Sequence, residues 1–217
     1  MRAFEEIAPD AGQLRLELDE LDAFLSKKKN LEERKHVAPL FKKRRQLIAA
    51  LGLANSEVQF VNRVAVELDL FGDFSCDVAC GDSEANAFTL IEFEAAKTFS
   101  IFTRRDTRGV RRWSPVYERG FSQLVDWVWR LESDGQSAAL RRIFGKNSPH
   151  LHLLLVIGRR SDLTDDDYDR LRWRSRNVTI SNYKVTCWTF DDVLATVRRR
   201  LAYIEGRNLA QAPCGRR

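Results

Sequence analysis

Apolar residues near the start of the chain recur every three or four positions. Leu14, Leu18, Leu21 and Leu25 fall on one face of a helix that Asp10 is placed to cap. A second helix is expected over residues 31–51, broken or kinked at Pro39, with Gly52 where a C-cap belongs. The period then changes. Val64, Val66, Leu68 and Leu70 alternate with Ala65, Glu67 and Asp69, which predicts a half-buried strand. Gly72-Asp73 turns the chain. Residues 74–80 and 88–95 read as two more strands around a polar loop at 81–86, and the short connections predict an antiparallel meander. Ser114-Pro115 then opens a helix, cap followed by proline, whose stripe is Tyr117, Phe121, Leu124, Val128 and Leu131. A short helix at 138–144, a buried strand at 150–158 and a helix at 164–174 with three aspartates in its first turn follow. Short strands at 178–180 and 184–189 precede a last helix at 191–202. This order predicts an α/β sandwich around a mixed sheet. Residues 1–55 read as a helical extension, 56–204 as the main domain and 205–217 as a frayed tail.

Composition narrows the class. The 217 residues are enough for a substantial core. No apolar run approaches the roughly 18 residues of a membrane helix. The acidic N-terminus lacks an apolar secretory segment, so a cytoplasmic location is expected and no membrane partner. The 36 Lys and Arg against 31 Asp and Glu give a net charge of only +5, yet the cations cluster as phosphate contacts do. The densest run before the long helix is Arg104, Arg105, Arg108, Arg111 and Arg112. The four cysteines read as buried thiols, with Cys76 and Cys80 sharing a face if they lie on one strand. His150 and His152 also share a strand face, but no third metal ligand stands near them in the sequence.

The segment from Asp77 to Lys97 carries candidate chemistry. Glu92 and Glu94 are two apart on one strand and point together, and an adjacent strand can bring Asp77 beside them. Three carboxylates on one face suit either a solvated sheet surface or a hard divalent cation such as Mg²⁺. Lys97 follows closely. On the next helix, Gln123 and Trp127 share a side.

An aspartate, a strand with acidic residues and then lysine, and a helix bearing glutamine together resemble the PD-(D/E)xK nuclease superfamily. More specifically, LIEFEAAKTFSIF, RWSPVYERGFSQLVDW, HLHLLLVIGRRSDL and VTCWTFDDVLATVRRRL resemble the nuclease domain of the Shedu anti-phage defence family, over residues 64–201. The resemblance implies a restriction-endonuclease-like core and metal-dependent cleavage of DNA, with Mg²⁺ or Mn²⁺ as cofactor and no small-molecule cofactor. It implies a homo-oligomer. Asp77, with Asp73 as its rival, corresponds to the metal-ligating aspartate, Glu92 to the first acid of the motif and Gln123 to the helix glutamine. Glu94 stands where the motif has lysine, so it is either a third metal ligand or a sign of a degenerate site that binds nucleic acid or protein without cutting. Lys97 supplies the missing cation only if the strand ends or bulges near Ala95-Ala96. Arg104 and Arg105 are alternatives, and the whole run Arg104 to Arg112 is expected to contact the phosphate backbone.

Overall fold

A computed structural model describes residues 3–133, 138–146 and 148–206. Most of the expected tail, and with it Cys214, lies outside the described residues.

Seven strands form one sheet in the order β1-β2-β3-β4-β5-β7-β6. The strands are β1 (Glu5–Glu6), β2 (Arg63–Leu70), β3 (Phe74–Asp82), β4 (Ala87–Phe93), β5 (His150–Val156), β6 (Thr179–Ile180) and β7 (Tyr183–Trp188). The meander β2-β3-β4 is antiparallel, as its short connections predict. Beyond β4 the sheet changes character, because β5 and then β7 add in parallel. This mixed sheet fits the nuclease-like α/β core expected from the sequence.

Helices cover both faces. One layer holds α1 (Ala11–Lys27), α2 (Ala38–Lys42), α3 (Arg45–Gly52) and α7 (Phe190–Ile204), which share a core with Val78, Ile91, Phe93 and Leu154. The other layer holds α4 (Pro115–Ser133), α5 (Ala138–Phe144) and α6 (Asp165–Asn177), packed on Leu90, Leu153 and Leu155. The caps act as read. Asp10 accepts the Gln13 N–H at 2.9 Å, and the Ser114 hydroxyl accepts the Tyr117 N–H at 3.0 Å. The expected helix over 31–51 is instead three pieces. A π-helical turn, Glu33–Val37, leads into α2, and the chain breaks again at Lys43-Arg44 before α3. Pro39 does not kink a continuous helix. It sits in the first turn of α2, where its missing N–H costs nothing.

The alternation in β2 is real but conceals an inversion. Val64 and Val66 face the layer of α1 and α3, whereas Leu68 and Leu70 face α4. Between them Glu67 takes a left-handed φ of 53°. That single residue swaps the two sides of the strand, and β3 inverts opposite it. Cys76 therefore faces α4 while Cys80 faces α3, so the two thiols do not share a face as their spacing suggests. Asp77 stands at the inversion.

Candidate functional site

The register Val78↔Ile91 is the last pairing of β3 with β4, and one step further it carries Asp77 opposite Glu92. There the strands part. The Phe93 N–H finds no backbone partner on β3 and instead donates to the Asp77 carboxylate at 2.8 Å. Asp77 is thus turned toward β4, at the carboxyl end of a strand where the sheet passes from antiparallel to parallel, the position at which open α/β sheets place their sites.

Burial and mutual repulsion load this corner with protons. Glu92 is 5% exposed. Its carboxyl makes no hydrogen bond or ion pair with a described residue. Desolvation, then the charges of Asp77 and Glu94, push its pKa up to about 10. Asp77 rises to about 6, chiefly by desolvation, against the Phe93 hydrogen bond. Glu94 is also raised by desolvation, despite an arginine at its side. That arginine is Arg119 on α4, whose Nε donates to Glu94 at 2.9 Å and whose Nη2 reaches the second oxygen. Nη2 also reaches Glu33 at 3.2 Å. Glu33 arrives on the π-helical turn, which is held to the end of β4 by paired backbone hydrogen bonds between Leu31 and Ala96. It raises the pKa of all three other acids. Gly120 is required here, since a Cβ would stand 2.8 Å from the Glu94 Cγ and from Leu155.

Beside this corner a cleft of about 680 Å³ is lined by Glu33, Lys97, Phe99, Arg119 and Gln123, among others. The strand ends at Phe93, so Lys97 is released from strand alternation and reaches the cleft wall. Gln123 lines the cleft too, but Trp127 is buried in the core. Asp73 is elsewhere, in the β2–β3 turn, paired with Arg130 at 2.8 Å. Of the basic run, Arg104, Arg105, Arg108 and Arg112 are exposed. Arg111 is not available to a phosphate. It turns inward to Asp167 of α6, because that buried carboxylate needs a counter-charge. His150 is exposed, while His152 is buried with its pKa lowered to about 4, so the pair forms no common site.

Asp77, Glu92 and Glu94 are brought together, with Lys97 and Gln123 at the adjoining cleft. Among the described residues, however, no three His, Cys, Asp or Glu side chains are arranged to hold a metal ion. Glu94 is engaged by Arg119, which leaves Asp77 and Glu92. Two carboxylates suit Mg²⁺, which keeps several waters, and the unpaired buried Glu92 is a donor lacking a cation. The pair therefore fits such an ion, and Glu94 as placed does not join it. Sequence reasoning missed Arg119 and Glu33. Each sits among other charged residues, as in Glu32-Glu33-Arg34-Lys35, and looks like solvated surface.

A family model for the Shedu protein SduA, C-terminal, matches residues 29–194. The chain belongs to this Shedu family. The match begins within the N-terminal helical segment and includes Glu33 as well as Asp77, Glu92, Arg119 and Gln123. A comparison with curated proteins gives no match. No helix among the described residues is long and apolar enough to cross a membrane.

Proposed function

We propose that this Shedu-type protein is a metal-dependent DNA endonuclease acting in anti-phage defence. One observation carries the reading: Glu92 is buried against Asp77 with no ion pair to a described residue, and the charge of Arg119 only partly offsets the acids around it. A fold tolerates such a pair where a cation is to be bound. Asp77 and Glu92 would hold Mg²⁺ or Mn²⁺, which when bound lowers the pKa of a water and polarises the scissile phosphate. The chain's own residues do the rest. Arg119 fixes Glu94 against α4 and partly offsets the charge that Glu94 puts on the pair. Lys97 offsets negative charge on the reacting phosphate from the cleft wall. Gln123 orients the water or the backbone. Arg104, Arg105, Arg108 and Arg112 hold the phosphates on either side without reading sequence. A homo-oligomer, implied by the family resemblance, and a cytoplasmic location, expected from the N-terminal sequence, are part of the proposal.

A second reading has its own support. Arg119 engages Glu94, and Glu33 accepts a second hydrogen bond from the same guanidinium. Such an arrangement suits a nuclease-derived module that binds DNA or a protein without cutting. Incubation of supercoiled and linear DNA with Mg²⁺, Mn²⁺ or EDTA, beside Glu92→Gln, separates the two. Metal-dependent cutting lost in the variant supports the endonuclease. No cutting by the wild type in either metal supports the module.

A further inference from the structure

Helix α6 carries two sets of arginines. The inward set fastens it. Arg170 donates to the Arg111 carbonyl at 2.9 Å, and its guanidinium lies 4.7 Å from the centre of the Phe102 ring. Arg174 pairs with Glu118 at 3.0 Å and covers the rings of Trp113, Tyr117 and Phe121 at 4.7, 4.8 and 4.4 Å. The outward set is different. Arg172 and Arg176 are exposed, and no described residue gives either a hydrogen bond or an ion pair, although Arg172 lies 5.7 Å from the centre of the Tyr168 ring. Between them Trp173 is 64% exposed. Arg172 and Trp173 stand four and three residues before Arg176, so the three side chains share the outward side of the helix, with Arg176 between the other two. Folding does not call for this, since α6 already buries Leu171.

The loop on which α6 packs is joined to the cleft. Phe99 lines the cleft and Arg104 lies 5.2 Å above its ring. The basic loop returns through the Thr103 N–H, which donates to the Arg112 carbonyl at 2.8 Å, and through the Phe102–Trp113 bridge. Trp113 is covered by Arg170 and Arg174 of α6. The basic loop thus connects the cleft wall to α6, whose outward side adds the exposed Arg172 and Arg176. Asp165 and Asp166 lie at the N-terminal end of α6, and Asp169 stands one turn before Arg172 and Trp173.

We propose that Arg172, Trp173 and Arg176 form a stacking platform for single-stranded DNA leaving the cleft. This rests on the DNA-cutting reading and adds the strandedness of the substrate. An exposed indole flanked by cations stacks on the face of an unpaired base, whereas the bases of a duplex are covered by their neighbours. Arginines alone would serve a duplex.

The test uses the full chain in EDTA, where metal-dependent cutting is stopped. Binding is read by anisotropy with labelled oligo-dT and with a duplex of the same length. Trp173→Ala should weaken oligo-dT binding about tenfold and leave the duplex within a factor of two. Trp173→Phe should recover most of the loss, because it restores a ring. Arg172→Ala with Arg176→Ala should weaken both ligands. Unchanged oligo-dT binding by Trp173→Ala overturns the proposal, as does an equal loss on both ligands. A change in sedimentation of Trp173→Ala, with DNA binding intact, would make the face a contact between copies. Trp173-dependent oligo-dT binding without any Glu92-dependent cutting would leave the platform standing and remove the endonuclease. If the wild type cuts duplex DNA but binds no oligo-dT, the platform alone falls.

Discussion

Two of the arginine–carboxylate contacts in the layer over the α4 face of the sheet serve opposite ends. At Asp167 the charges balance. Arg111 meets it, Thr164 gives it both a backbone and a hydroxyl hydrogen bond, and its pKa is lowered by these contacts against desolvation. It is also the N3 partner of a capping box. At Glu94 one arginine faces a surplus. Arg119 is shared with Glu33, and Asp77 and Glu92 stand alongside with no ion pair to a described residue, helped by the fields of Lys42 and Arg119. The first pair is architecture, complete in itself. The second gathers four acids around one arginine, a surplus that the proposed metal ion would offset.

The largest effect expected from this difference is on catalysis. Glu92→Ala or Asp77→Asn should lower the rate of DNA cutting at least ~100-fold, since metal-borne charge stabilisation is worth several kcal/mol. Timed cleavage of supercoiled DNA measures it. Arg111→Met should leave the rate per folded molecule within a few-fold. The next effect separates the two arginines by stability. Arg111→Met strands a buried carboxylate and should cost about 3 kcal/mol, visible as a lower Tm whether or not Mn²⁺ is present. Arg119 is 58% exposed at its side chain. Arg119→Met should cost roughly 1–2 kcal/mol in EDTA, and Mn²⁺ should recover much of it, because the cation supplies the missing charge. Equal recovery in both variants would erase the distinction.

Much of the molecule was legible. The meander, the Ser114-Pro115 cap and the pairing of Glu92 with Glu94 on one face all follow from local pattern, because each is fixed by neighbours in sequence. What stayed hidden is long-range. Arg119 meets Glu94 from 25 residues away and Glu33 from 86, and nothing local marks either as more than surface charge. The inversion at Glu67 was equally silent. A left-handed backbone at glutamate has no sequence signal of the kind glycine gives, so Val66 and Leu68 looked equivalent although they enter different cores. Pro39 misled for a related reason, since proline both breaks helices and begins them.

Two smaller effects sharpen the comparison. In EDTA the folded chain holds a proton on Glu92 well above the usual 4.5, up to about 10. The folded state then binds more protons than the unfolded chain, so stability should fall as pH rises between those values. Asp77 adds a narrower window between 3.8 and about 6. His152, whose pKa is lowered to about 4, works in the opposite sense below 6.5, so a Tm series from pH 7 to 9 should slope downward, and Glu92→Gln should flatten most of it. Asp167, whose pKa is lowered, contributes in the opposite sense, and only below the usual carboxylate range. Last, Gly120→Ala should cost about 1–3 kcal/mol by crowding Glu94 and Leu155, with cutting reduced in step because Glu94 and Arg119 must shift.

The most direct test of the account is Mn²⁺ uptake by the full chain, read from the loss of the free-ion EPR signal. Wild type, Glu92→Gln and Arg111→Met are compared at equal folded concentration. The account predicts that wild type and Arg111→Met take up Mn²⁺ and that Glu92→Gln loses this uptake. Equal uptake by wild type and Glu92→Gln would contradict it, and would remove Asp77 and Glu92 as a cation site.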